Sequence, residues 1–67
     1  MKEIDVTGMQ CTQAVMNVLR EMVSMNKNEE IKITYQEQNA RSDIMAMIKR
    51  RDYRLIEDKE RLLVIAK

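Results

Sequence analysis

The sequence contains no histidine, proline, tryptophan or phenylalanine. Without histidine it lacks the commonest general base and the commonest zinc ligand, which excludes a papain-like catalytic cysteine. With Tyr35 and Tyr53 as its only aromatic residues, it also lacks the stacking platforms that bind single-stranded nucleic acid. The net charge of +1 favours neither nucleic acid nor an anionic membrane as a partner.

Long apolar runs are also missing. No segment approaches the roughly 20 apolar residues that span a bilayer, and residues 1–5 lack the apolar centre of a signal peptide. One cysteine forms no intramolecular disulfide, which suits a reducing compartment. We therefore expect a cytoplasmic protein with one small domain over residues 1–67. A chain of this size buries only about 60% of its unfolded surface, so any chemistry is expected near the surface.

Apolar residues alternate in some segments and recur with helical spacing in others, which predicts four strands and two helices. The order is β-α-β-α-β-β, typical of an α+β two-layer α/β sandwich with both helices on one face of a four-stranded mixed sheet. The predicted segments are residues 3–7, 12–25, 31–35, 40–51, 53–57 and 61–66.

The final hairpin carries apolar residues on both faces. We expect a tight turn at Asp58-Lys59 between its strands. Alternate apolar residues of these strands are predicted to face the helices, and the others lie on the opposite face of the sheet. Apolar residues on that opposite face indicate either a contact surface or a strand register that differs from the predicted one. The inward set is Leu55, Leu62 and Val64, and the outward set is Ile56, Leu63 and Ile65.

Cys11 is the only candidate for nucleophilic or sulfur chemistry. It follows a short loop containing Gly8, the only glycine, and directly precedes the first helical pattern. Unpaired N–H groups and the helix dipole at such a position favour a thiolate. However, extending the apolar stripe back four residues from Val15 also reaches Cys11, as expected for a small buried residue. The pattern leaves both interpretations open.

The segment Asp5-Val6-Thr7-Gly8-Met9-Gln10-Cys11 resembles the TusA-type (SirA-like) sulfur-carrier family, whose first strand ends in Asp-x-x-Gly-x-x-Cys-Pro-x-Pro. Residues 40–44 resemble the family's segment at the start of the second helix, where an Asp-Ile pair is usual. The resemblance covers nearly the whole chain. It implies that Cys11 accepts sulfur as a persulfide from a desulfurase or rhodanese-type donor and passes it to an acceptor protein, without a cofactor or metal. Asp5, Gly8, Met9, Gln10 and Thr12 would then surround the reactive residue.

The chain departs from that pattern at the two prolines. Thr12 and Ala14 occupy their positions, although Thr12 is compatible with a helix cap or first turn. Glu37-Gln38 likewise replaces an Asp-Pro pair common before the second helix. The departures leave a second hypothesis open, in which the chain is a non-catalytic binding or regulatory module on the same fold. Whether it acts as a sulfurtransferase enzyme is not decided by the pattern.

The same loop also resembles the Gly-Met-x-Cys-x-x-Cys loop of heavy-metal-associated copper chaperone domains. Those domains need two soft thiolates for a cuprous ion, and Ala14 occupies the second position here. They also place two strands between their helices, where this chain has one. A degenerate metal-binding domain is therefore the less favoured third hypothesis.

Two features suggest a surface for partner proteins. Lys49-Arg50-Arg51 ends the second helix, where cations commonly interact with the helix dipole but can also bind an acidic partner. Met16 shares a helix flank with Thr12 and Val23, leading away from Cys11. This flank either contacts a sulfur donor or acceptor, or packs against the edge of the sheet.

Overall fold

The computed structural model describes residues 2–67. The chain forms two helices and a four-stranded sheet in the predicted β-α-β-α-β-β order. The elements are β1 (Lys2–Asp5), α1 (Cys11–Ser24), β2 (Glu30–Thr34), α2 (Gln38–Arg51), β3 (Arg54–Lys59) and β4 (Leu62–Ala66). This is the expected α+β architecture.

The sheet is mixed and has the strand order β1-β2-β4-β3. β1 and β2 are parallel, whereas β4 lies antiparallel to both β2 and β3. β2 and β3 therefore run in one direction, and each of them follows a helix. The core lies between the sheet and the two helices, where α2 buries four apolar residues: Ala40, Ile44, Met47 and Ile48.

Backbone conformation and one side chain that is distant in sequence mark the ends of the helices. α1 ends where Met25 takes an extended conformation, and the Lys67 ammonium donates to the carbonyls of Val23 and Met25 at 3.0 and 2.8 Å. α2 ends at Asp52, which adopts the left-handed conformation that terminates many helices. α2 begins at Gln38, two residues before the predicted start, with Glu37 at the N-cap position in an extended conformation.

The predicted facing of β4 was wrong. Leu63 and Ile65 pair with Ile33 and Ile31 of β2 and are fully buried beneath the helices. Val64 pairs with Lys32 on the opposite face. β4 is an interior strand with apolar residues at every position, so alternation alone did not identify its inner face.

The predicted turn was also misplaced. β3 continues through Lys59, and the chain reverses at Glu60-Arg61, with Arg61 in the left-handed conformation. Asp58 resembles a turn residue in the sequence, but here it pairs with Leu63 inside the ladder. A bulge between Leu55 and Glu57 shifts the pairing of β3. Before the bulge, Leu55 pairs with Ile65 on the helix side, as predicted, yet it is 38% exposed because β3 is an edge strand.

Candidate functional site

The loop between β1 and α1 is held by short-range hydrogen bonds. The N–H of Met9 donates to the carbonyl of Val6 at 3.1 Å, and that of Thr7 donates to Asp5 Oδ1 at 2.9 Å. Gly8 adopts a φ of 82°, which L-residues rarely take. This positive φ turns the chain from β1 towards the first residue of α1.

Asp5 helps to order this loop through its side-chain carboxylate. Hydrogen bonds from Thr7 hold the pKa of the Asp5 carboxyl below its usual range. The bond with the Thr7 side chain has the larger effect, and the bond with its backbone the smaller. The bonds favour the ionised form because a carboxylate is the stronger acceptor. The loop before Cys11 is thus best ordered when Asp5 is charged.

Met9 ties the loop to the body of α1. Its Sδ atom accepts a hydrogen bond from Asn17 Nδ2 at 3.1 Å, and its partly buried side chain packs against the core. Asn17 is a site residue that sequence reasoning missed. An asparagine on the polar side of a helix carries no local signal that it contacts a loop eight residues earlier.

Cys11 is the first residue of α1, one position earlier than the predicted helix start. Gln10 occupies the N-cap position in an extended conformation, and within residues 2–67 no side chain caps this end. The N–H of Ala14 donates to the Gln10 carbonyl at 2.8 Å, which starts the helical ladder. The N–H groups of the preceding first turn therefore point out of the helix beside the thiol.

The burial of Cys11 lies between the two interpretations of the sequence. Its side chain packs against the core cluster, yet it remains partly exposed. The neighbouring positions differ more clearly: Thr12 is exposed in the first turn, and Ala14 is fully buried.

Ala14 also bears on the copper resemblance. The position of the second thiolate points into the core, and a single strand, β2, separates the helices. In the part of the chain that the structure describes, no three Cys, Asp or Glu side chains are grouped as metal ligands. The fold is not that of the copper domains.

The predicted docking residues lie mostly on one surface. An open groove of about 360 Å³ is lined by residues of both helices, and we call it the interhelix groove. Met16, Arg50 and Arg51 line it, whereas Lys49 does not. Met16 is 52% exposed and Val23 57%, so this flank does not pack against the sheet edge. The groove is lined by Thr12, Met16 and Leu19 on α1 and by Asp43, Met47 and Arg50 on α2, among others.

The chain is a two-layer β-α-β-α-β-β sandwich of the α+β class, with a cysteine at the start of its first helix. The fold matches the crystal structure of a SirA-like protein from Desulfitobacterium hafniense. The match has a TM-score of 0.77 and covers 97% of this chain and 92% of that protein, with 15% sequence identity. At that identity the likeness establishes the fold.

The family follows from the sequence match. The family described as Sulfurtransferase TusA matches residues 2–66. The chain belongs to the TusA family, as the motif around Cys11 predicted. A comparison with curated proteins found no match. No helix within residues 2–67 is long and apolar enough to cross a membrane.

Proposed function

We propose that the protein is a sulfur-relay carrier that accepts persulfide sulfur on Cys11 and passes it to a partner protein. The observation that carries the proposal is the position of the only cysteine of a TusA-family chain, partly exposed at the uncapped start of α1. Helix N-termini stabilise anions through their free N–H groups and their dipole.

The reaction is a thiol–persulfide exchange. The Cys11 thiolate attacks the outer sulfur of a donor persulfide, a new S–S bond forms at Cys11, and the donor cysteine leaves as a thiolate. The terminal S–H of the Cys11 persulfide then ionises to solvent. Delivery repeats the exchange: the outer sulfur takes a proton back from solvent, an acceptor thiolate attacks that sulfur, and Cys11 leaves as a thiolate. No electrons enter or leave, so the cycle needs no cofactor, metal or external oxidant.

The surrounding residues position Cys11. Asp5 and Gly8 shape the loop, and Met9 anchors it to α1. Gln10 supplies the carbonyl that begins the helix, and Thr12 borders the thiol on the side of the groove. The donor would be a desulfurase or rhodanese-type protein, and the acceptor a protein thiol. We place this transfer in the cytoplasm, the compartment expected from the sequence.

Intact mass measurement tests the proposal. The purified protein is incubated with free cysteine and a cysteine desulfurase that carries its own cofactor. Its intact mass is then measured by mass spectrometry under non-reducing conditions. We expect a gain equal to one sulfur atom, removed by a thiol reductant and absent from Cys11→Ser. Absence of any adduct under conditions that load a control persulfide acceptor would contradict the carrier function.

The partial burial of Cys11 favours a second candidate, a non-catalytic binding or regulatory module. In that case Cys11 contributes packing, so Cys11→Ser would alter stability without removing any transfer activity. Native thiol labelling separates the candidates. A carrier reacts at a rate near that of the unfolded chain, because partner thiols must reach Cys11, whereas a packing cysteine is strongly protected.

A further inference from the structure

The interhelix groove has an apolar floor and lies next to Cys11. Val15, Leu19, Ala46 and Met47 contribute apolar surface to it, and the exposed Met16 side chain stands at its edge. Cys11, Val15 and Leu19 are spaced four residues apart, so they follow one strip along α1. Cys11 does not line the groove itself, but it directly precedes Thr12, which does, and it lies one helical turn before Val15.

The topology gives the groove a direction. β1 and β2 are parallel and α1 connects them, so α1 runs against both strands. β2 and β3 also run in one direction, so α2 is antiparallel to them as well. The two helices consequently point the same way. Asp43, early in α2, lies towards the Cys11 end, and Arg50 and Arg51 lie towards the far end.

The charged side chains of the groove differ in sign along its length. Arg50 and Arg51 are exposed, and neither they nor Asp43 forms an ion pair with any side chain of residues 2–67. A segment lying in the groove thus meets a carboxylate near Cys11 and two guanidinium groups about two turns away. An acidic residue is favoured at the far end and disfavoured beside the thiol.

We propose that the interhelix groove binds an extended segment of the protein that exchanges sulfur with Cys11, of the form Cys-x-apolar-x-acidic in either chain direction. The distance along α1 from Cys11 to Leu19 is about 12 Å at 1.5 Å per residue. Four residues of extended chain span about 13 Å, and residues i, i+2 and i+4 share one face. The partner cysteine then reaches Cys11, the apolar side chain meets the floor, and the acidic residue meets Arg50 and Arg51. The proposal rests on the proposed function for the identity of the partner.

Binding of synthetic peptides tests the groove separately from sulfur transfer. The probes are capped peptides containing Cys-Ser-Leu-Ser-Glu and Glu-Ser-Leu-Ser-Cys, with the cysteine S-methylated to prevent exchange. The control peptide places the glutamate beside the cysteine. Binding at low salt is followed by amide chemical shifts of the protein, and at least one probe is expected to shift residues of the groove.

Two matched variants identify the charge contact. Arg50→Glu is expected to weaken binding about tenfold, whereas Lys49→Glu changes the net charge equally but lies outside the groove and should have little effect. A probe with lysine in place of glutamate should prefer the Arg50→Glu protein. Equal weakening by both variants, equal binding of the control peptide, or no binding of either probe would overturn the groove proposal.

Sulfur transfer provides the second readout. Persulfide-loaded protein should deliver sulfur to the free-thiol probe faster than to the control peptide, and Arg50→Glu should remove this difference. If Cys11 never carries sulfur, the proposed function fails while binding of the S-methyl probes still reports on the groove. If loading succeeds but binding shows no dependence on Arg50, the groove proposal alone fails.

Discussion

Asp5 is the residue whose charge is most directly tied to the loop before Cys11. Its carboxylate accepts the Thr7 N–H, and the hydrogen bonds from Thr7 lower its pKa. A carboxyl whose pKa is lowered in the folded state stabilises the fold at pH values above its unfolded pKa, which is about 3.9. That stabilisation is lost as the pH falls through the folded pKa.

This predicts a pH-dependent effect of Asp5→Asn. The substitution keeps an oxygen acceptor but removes the charge, so it should destabilise the protein at neutral pH. The difference in the free energy of unfolding between variant and wild type should narrow as the pH falls from about 5 to about 2. Asp5 becomes protonated over this range, so that both proteins are uncharged at this position at the low end. Urea unfolding across that range measures it. An Asp5 carboxyl that titrates at its ordinary value by NMR would contradict the explanation.

At the scale of elements, the end of α1 depends on a residue far away in sequence. The last turn of α1 contains no basic residue, yet Lys67 places its ammonium on the carbonyls of Val23 and Met25. A cation at a helix C-terminus is favourable because it offsets the negative end of the dipole. The contact also links α1 to the end of β4.

We expect Lys67→Met to lower the free energy of unfolding by about 0.3–1 kcal/mol, with a smaller loss at high salt. Lys59→Met is the matched control, because Lys59 pairs with Glu57 at 3.5 Å on the exposed edge strand, where ion pairs contribute little. Thermal and urea unfolding of both variants measure the difference. Equal losses in the two variants would show that Lys67 has no capping role.

At the scale of the whole molecule, the pairing of β4 with β2 decides which apolar residues form the core. Leu63 and Leu62 are adjacent and chemically identical, yet Leu63 is fully buried and Leu62 only partly. The sequence pattern predicted the reverse facing. Substitutions at these two positions therefore distinguish the observed facing of β4 from the facing predicted by the sequence pattern.

Leu63→Ala should cost about 2–5 kcal/mol because it leaves a cavity beneath the helices. Leu62→Ala should cost about 1 kcal/mol or less, since it removes a partly exposed side chain. Denaturant unfolding followed by circular dichroism compares them, and unfolding of the Leu63→Ala chain in buffer alone counts as the large loss. A greater cost at Leu62 would support the register predicted from the pattern.

Much of the fold could be predicted from local patterns. The spacing of Val18 and Met22 predicted α1, the alternation of Ile31 and Ile33 predicted β2, and the element order predicted the sandwich. Each of these signals arises from one amphipathic element facing one core. The prediction of a TusA-family chain came from the residues around Cys11, and the match over residues 2–66 confirmed it.

Other features required residues that are distant in sequence. The Met9–Asn17 contact, the Lys67 cap and the facing of β4 all depend on how elements meet, and no local pattern encodes them. The same is true of the groove, since Met16 and Arg50 lie 34 positions apart and share a surface only because α1 and α2 pack together.

The amino-acid sequence by itself determined that chemistry in this protein, if present, belongs to one thiol. Without histidine or a second cysteine, Cys11 is the only candidate nucleophile of its kind. It also determined the left-handed turn at Gly8, because glycine adopts such a conformation without a Cβ clash. Tertiary structure alone decided that Cys11 is partly exposed and that Ala14 is buried. Burial is set by which helix faces meet the sheet, and both positions fit the same apolar stripe until the sheet is in place.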